Sequence, residues 1–186
     1  MPRPLSDAAR AKMLEAAAEL VVAVGVHGFT VDEVARRSGV ARTTIYRHFR
    51  EPRELLVAAL DRVMTAPPTP DTGSLRGDLT AYLTSVRENF ADAALRTVFF
   101  EIYVAAARDP ELRGLYQSLL RARTGPTLAI YEKGRARGEI SADVDYPTML
   151  DIVQGPFVVR SLMRPESLAE VDIQVLVERM CRVLGD

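Results

Sequence analysis

A chain of 186 residues with 48% hydrophobic and 26% charged side chains is long enough for one small module plus a full-sized helical core, and it excludes disorder as the default. The net charge of −1 hides an uneven spread: residues 1–65 carry ten Lys and Arg against eight Asp and Glu, the remainder fourteen against seventeen, so any affinity for a polyanion has to be local. A single cysteine, Cys181, rules out an intramolecular disulfide framework. With no apolar run approaching the roughly 20 residues of a membrane span and no signal-peptide pattern, a cytoplasmic protein without a membrane partner is expected.

From Leu5 to Val24 apolar residues recur at helical spacing (Met13, Leu14, Ala17, Leu20, Val21, Val24) and stop at Gly25, which predicts a first helix capped by Ser6 or Asp7. Thr30 to Phe49 then reads as two short helices around a turn at Gly39. Thr30 and Glu33 have the spacing of a capping box, in which the hydroxyl accepts from the amide three residues on while the carboxylate reaches back. Val34 and Ala35 point inward, Gly39 lets the chain reverse, and Val40 and Ile45 pack the second helix onto the first. The remaining faces of that second helix carry Arg42, Thr43, Thr44, Tyr46, Arg47 and His48. An arginine can fork onto the two major-groove acceptors of guanine, a threonine can touch a base edge or a thymine methyl, and hydroxyls and imidazole can bind phosphate. Six arginines and one acid, Glu51, fall between Val34 and Arg53, the local positive stripe that backbone binding requires. The pattern is a helix-turn-helix for double-stranded DNA.

Pro52 to Met64, with Leu55, Leu56, Ala59, Leu60 and Val63 at helical spacing, predicts a fourth helix that connects the reading head to the rest. The stretch Thr65 to Ser74 holds three prolines and a glycine and cannot continue it. The expected organisation is therefore a DNA-binding domain at 1–50, a connecting helix at 51–65, a linker at 66–74 and a second domain at 75–186. Beyond the linker the apolar spacing is three and four throughout, which predicts helices Leu75–Phe90, Leu95–Ala107, Glu111–Arg137, Tyr146–Arg164 and Leu168–Leu184. Asp109-Pro110 starts the third of these, Gly125-Pro126 should kink it, and Gly134 and Gly138 should fray and end it. Asp145 caps the next, and Pro165 ends it. The fold class is all-α.

Thr148 to Met163 is apolar on nearly every side, and the last helix adds Val171, Ile173, Val175, Leu176, Val177, Met180 and Val183. Such excess predicts a homodimer through the last two helices, and a two-fold dimer implies a palindromic operator with its half-sites about 34 to 36 Å apart, or further. Aromatic and soft residues cluster in the second domain. Phe100, Tyr103, Tyr131, Gln154 and Phe157 are the candidates for contact with a small-molecule effector, because polar tips among apolar walls fix orientation. Catalysis is not expected: His27 and His48 are the only histidines and neither can build a metal set, Cys181 has no CxxC or nearby histidine, and no glycine-rich phosphate loop occurs. No cofactor or metal is implied.

From about Leu5 to Leu60 the chain resembles the DNA-binding domain of TetR-type transcriptional repressors, a homeodomain-like three-helix module. The likeness rests on Gly28-Phe29-Thr30 at the end of the first helix and Thr44-Ile45-Tyr46-Arg47-His48-Phe49 in the recognition helix. Residue by residue, the resemblance implies base contacts from Arg42 and Thr43, phosphate contacts from Thr44, Tyr46 and His48, and either role for Arg47, with Thr30 a further candidate at the head of the preceding helix. The family usually has a phosphate-directed lysine where this chain has Pro52, so Arg50 or Arg53 would supply that charge. The segment RGEISADVDYPTML resembles one recurrent C-terminal domain type, which implies homodimerisation through the last two helices and an effector among the middle ones. A repressor released by that effector is the expected function; a constitutive regulator without a ligand is the alternative.

Overall fold

The computed structural model describes residues 7–63 and 66–185. Among them are α1 (Asp7–Val24), α2 (Val31–Ser38), α3 (Arg42–His48), α4 (Pro52–Val63), α5 (Leu75–Ala91), α6 (Ala93–Arg108), α7 (Pro110–Ala136), α8 (Tyr146–Met163), a 3-10 turn (Pro165–Leu168) and α9 (Ile173–Gly185), with no strand. The expected cap at Ser6 and the expected helix ends Leu5 and Met64 lie outside the described residues. Two compact units form, one of Met1–Thr65 with Thr97–Gln117, the other of Ala66–Arg96 with Ser118–Asp186. Residues 97–117, placed by sequence in the second domain, thus pack with the first unit.

In the first unit α1 lies against α4 and α2, and α2 holds α3. Met13, Ala17, Leu20 and Val21 of α1, Val34 of α2, Ile45 of α3 and Leu55, Ala59 and Leu60 of α4 are buried, one apolar stripe from each helix. Val24, read as part of the stripe, is 44% exposed, and Ala16, not read as part of it, is buried. Gly39 has φ 69°, where a side chain would be strained, and its N–H reaches the Ala35 carbonyl to close α2. Val40, expected to be buried beside Ile45, is only half-buried. A second tie is long-range: the Glu101 carboxylate of α6 accepts from the Val26 N–H at 2.8 Å.

The second unit buries Leu79, Leu83 and Val86 of α5, Ile130 of α7, Met149, Val153 and Phe157 of α8, and Val177, Met180 and Leu184 of α9 around one core. Asp145 caps α8 by accepting from Thr148 N at 2.9 Å. The last helix departs from expectation. It starts at Ile173, not Leu168, because Pro165 opens a 3-10 turn that drives Leu168 into the core, and Asp172 then accepts from Val175 N at 3.1 Å as a fresh cap. Gly134 does not fray α7: the helix runs on to Ala136, and a Cβ at Gly134 would stand 2.7 Å from Ile140 Cδ1, so the glycine is a packing notch. The helix also continues through Pro126; beside that proline the Thr124 carbonyl accepts from the Thr127 and Tyr146 hydroxyls at 2.6 and 3.1 Å.

Candidate nucleic-acid interface

Only Ile45 of α3 is buried, and that one anchor fixes which side of the helix faces outward. Arg42, Thr43, Tyr46, Arg47 and His48 are exposed and Thr44 is half-buried. Six of the nine residues read from sequence as DNA contacts therefore share one short helix. Thr30 is the N-cap of α2, its Oγ1 accepting from Glu33 N at 3.3 Å, which leaves the hydroxyl proton for an outside acceptor. Arg50 and Arg53 flank the start of α4, where Pro52 is the first residue.

The other half of the capping box is not made. Glu33 turns its carboxylate onto Arg36 Nε and Nη2 at 2.8 and 2.6 Å and onto Arg37 Nε at 2.8 Å. Two charge-assisted partners outbid one backbone amide. Hydrogen bonds from Arg36, then Arg37, hold the Glu33 carboxyl down at about 2, so it stays ionised and offsets both arginines. The positive stripe is consequently more selective than its linear count. Arg42 Nε lies 2.7 Å from Asp32 Oδ1, and Arg53 lies 3.8 Å from Glu51 and 3.9 Å from Asp109. Among the described residues the guanidinium groups of Arg47 and Arg50 have no ion-pair partner. A count starting at Val34 misses Asp32 and Glu33 just before it, and no local pattern reveals Asp109, brought to Arg53 from the α6–α7 corner.

The five effector candidates fall in both units. Phe100 and Tyr103 lie on the part of α6 that belongs to the first, where rings stack edge-on (Phe99–Phe100 at 5.4 Å, Tyr103–Tyr116 at 5.6 Å) and Tyr103 is 51% exposed. Tyr131, Gln154 and Phe157 lie in the second. There Tyr131 donates to the Val144 carbonyl at 3.0 Å, Phe157 is core, and Gln154 Nε2 donates to the hydroxyl of buried Tyr82. Burial pushes the Tyr82 phenol up to about 12, so it remains a neutral donor, directed at the Arg123 carbonyl. Burial likewise pulls the Arg123 guanidinium below its ordinary value. Tyr82 belongs to the aromatic cluster of the second domain but not to the five favoured candidates, and Arg123 was not singled out by sequence, since one arginine on a long helix carries no pattern.

Among the described residues no helix is long and apolar enough to cross a membrane. Residues 13–59 match the family described as bacterial regulatory proteins, tetR family, and residues 69–180 match the tetracyclin repressor-like C-terminal domain. The chain is 27% identical over 181 residues to an uncharacterized HTH-type transcriptional regulator of Bacillus subtilis, YdeS, covering 94% of this chain and 89% of that one. It is 31% identical over 137 residues to the HTH-type transcriptional regulator AqdR of Rhodococcus erythropolis, covering 73% and 66%. It is 30% identical over 147 residues to the DNA-binding transcriptional repressor TetR of Mycobacteroides abscessus, covering 77% of each. Its fold matches a crystal structure of a TetR family transcription regulator with a TM-score of 0.72 and 27% identity, over 97% of this chain and 99% of that one. It also matches the regulator FadR from Bacillus subtilis, crystallised with stearoyl-CoA, with a TM-score of 0.69 and 20% identity, over 95% and 99%.

Proposed function

The chain belongs to the TetR family of DNA-binding transcriptional regulators, and from that premise we propose that it is a cytoplasmic, non-catalytic repressor that binds a palindromic operator as a homodimer and releases it on binding a small-molecule effector. The observation that carries the reading is α3 itself, a helix with one apolar anchor and five exposed hydrogen-bonding or cationic side chains. In the proposed division of labour, residues 1–50 read the operator and 75–186 carry dimerisation and effector binding. Val159, Leu162 and Met163 of α8 and Val175 and Val183 of α9 are exposed apolar residues on two helices that pack together, and a second copy would cover them. The effector reading is supported by the polar group around Tyr82 and Gln154 inside an otherwise apolar core.

Selection of bound fragments from a genomic library by the purified protein tests the reading: a two-fold-symmetric sequence is expected, and recovery of no preferred sequence by folded protein overturns it. Within that sequence Arg42→Ala will relax preference at one base pair per half-site by about 1 to 3 kcal/mol, whereas Tyr46→Phe will weaken all sequences alike. Equal losses for Arg42→Ala on operator and random DNA would remove its base-reading role.

For the phosphate contact missing at Pro52, the pairing pattern favours Arg50. Arg53 is held between Glu51 and Asp109, while Arg50 side-chain charge is uncompensated among the described residues. Arg50→Ala will lower affinity uniformly and reduce the slope of log K against log salt by about one; Arg53→Ala will change that slope less. Binding measured across a salt series decides between them.

A further inference from the structure

The ion pair between Asp32 and Arg42 joins the first turn of α2 to the first residue of α3. Both side chains are more than half exposed (64% and 57%), and pairs so exposed contribute little to folding. Their value lies elsewhere. The closest approach is Arg42 Nε to Asp32 Oδ1 at 2.7 Å, on the side edge of the guanidinium, and the Tyr46 ring centroid lies 5.9 Å from its central carbon. A carboxylate and an aromatic ring, from two different helices of the same unit, thus limit where the fork can swing. A long arginine side chain loses much rotamer freedom when it docks on a base, and restricting it beforehand recovers part of that cost. The end formed by the two terminal nitrogens is the edge that matches the O6 and N7 acceptors of guanine.

We infer that Asp32, without touching a base, is a positioning residue that aims Arg42 and so sets the stringency with which one guanine per half-site is read. This rests on the reading of α3 as the recognition helix. Glu33 cannot take over the task, because Arg36 and Arg37 occupy its carboxylate.

The sign of the effect separates this role from a bland one. A surface carboxylate near DNA merely repels phosphate, so removing it strengthens binding to every sequence equally. Removing a positioning carboxylate also lowers discrimination at one base pair. The test uses the full-length protein, the DNA that wild-type protein selects, all single-base-pair variants of that DNA, and the variants Asp32→Ala, Asp32→Asn, Arg42→Ala and Asp32→Ala/Arg42→Ala. Arg42→Ala is expected to cut preference at one base pair by between several-fold and about a hundredfold. Asp32→Ala and Asp32→Asn should cut it at that same base pair by a few-fold while random-DNA affinity rises, and the double variant should match Arg42→Ala alone. Thermal melting of Asp32→Ala should be unchanged, which separates aim from folding. Preference intact at every position in Asp32→Ala, or lost at a different base pair from Arg42→Ala, overturns the inference. Failure of the wild-type protein to select any sequence is a distinct result and overturns the recognition-helix reading beneath it.

Discussion

Replacing Leu162 and Met163 together by glutamate will leave a folded monomer that binds a two-half-site operator about 10²- to 10⁴-fold more weakly than the wild-type protein, the factor that linking two sites supplies. These side chains are 55% and 76% exposed on α8, so the substitution removes little that the single chain buries, and surface changes of that kind usually alter stability by about 0.5 kcal/mol or less. In a two-fold dimer each change occurs twice across the axis. Four carboxylates would then enter one apolar interface, and each ion taken out of water without a partner costs several kcal/mol. Dissociation wins by that arithmetic. Sedimentation gives the oligomeric state and titration on half-site and full-site DNA gives the affinity; a dimer that survives both glutamates would place the subunit contact away from the end of α8. The half-site affinity should be unchanged, because α3 and its neighbours lie in the other unit.

Much of this fold was legible because its physics is local. Gly39, Pro110 and Pro165 act through their own backbone and Asp145 through a carboxylate three residues from the amide it caps, and the structure uses each as a helix boundary. Periodicity likewise found Met13, Ala17, Leu20, Leu55 and Leu60, since a helix facing one core repeats its apolar residues by geometry alone. Errors arose where a distant partner decided. Gly134 reads as a helix breaker until Ile140 is seen to need the space, and Val24 continues the periodic stripe yet stands 44% exposed as the last residue of α1. Leu168 fits a helical stripe, yet the 3-10 turn after Pro165 changes its phase. The interface shows the same limit. The polar set on α3 was visible in the spacing around Ile45, but its charge balance was not, because Asp109 reaches Arg53 only through the fold and Glu33 had two cations to choose over one amide.

Asp78→Ala will destabilise the protein by about 1 to 3 kcal/mol, the usual cost of leaving buried donors without their acceptor. The carboxylate is fully buried on α5, where Oδ1 accepts from Thr72 N and Thr72 Oγ1 at 2.7 and 2.8 Å and Oδ2 accepts from Arg137 Nη2 at 3.1 Å. Arg137 also binds Glu139 through Nε at 2.5 Å, and Glu139 in turn accepts from Leu75 N at the start of α5. One acid therefore closes a circuit that ties the segment entering α5 to the chain leaving α7. Burial alone would raise the Asp78 carboxyl, but the hydrogen bonds from Thr72 and the Arg137 charge overcome it, and the net direction is down from the ordinary 3.8. A lowered folded-state value means that this stabilisation is present in full above about 3.8 and is shed as the pH falls below it toward the folded-state value. Urea unfolding of wild type and Asp78→Asn across acid pH reads the contribution directly, because other carboxylates cancel in the difference. The gap between the two proteins should be constant at neutral pH and should narrow only in that acid range. A gap independent of pH, or an alanine variant as stable as wild type, would show that the Thr72 and Arg137 contacts carry none of the stability assigned to them.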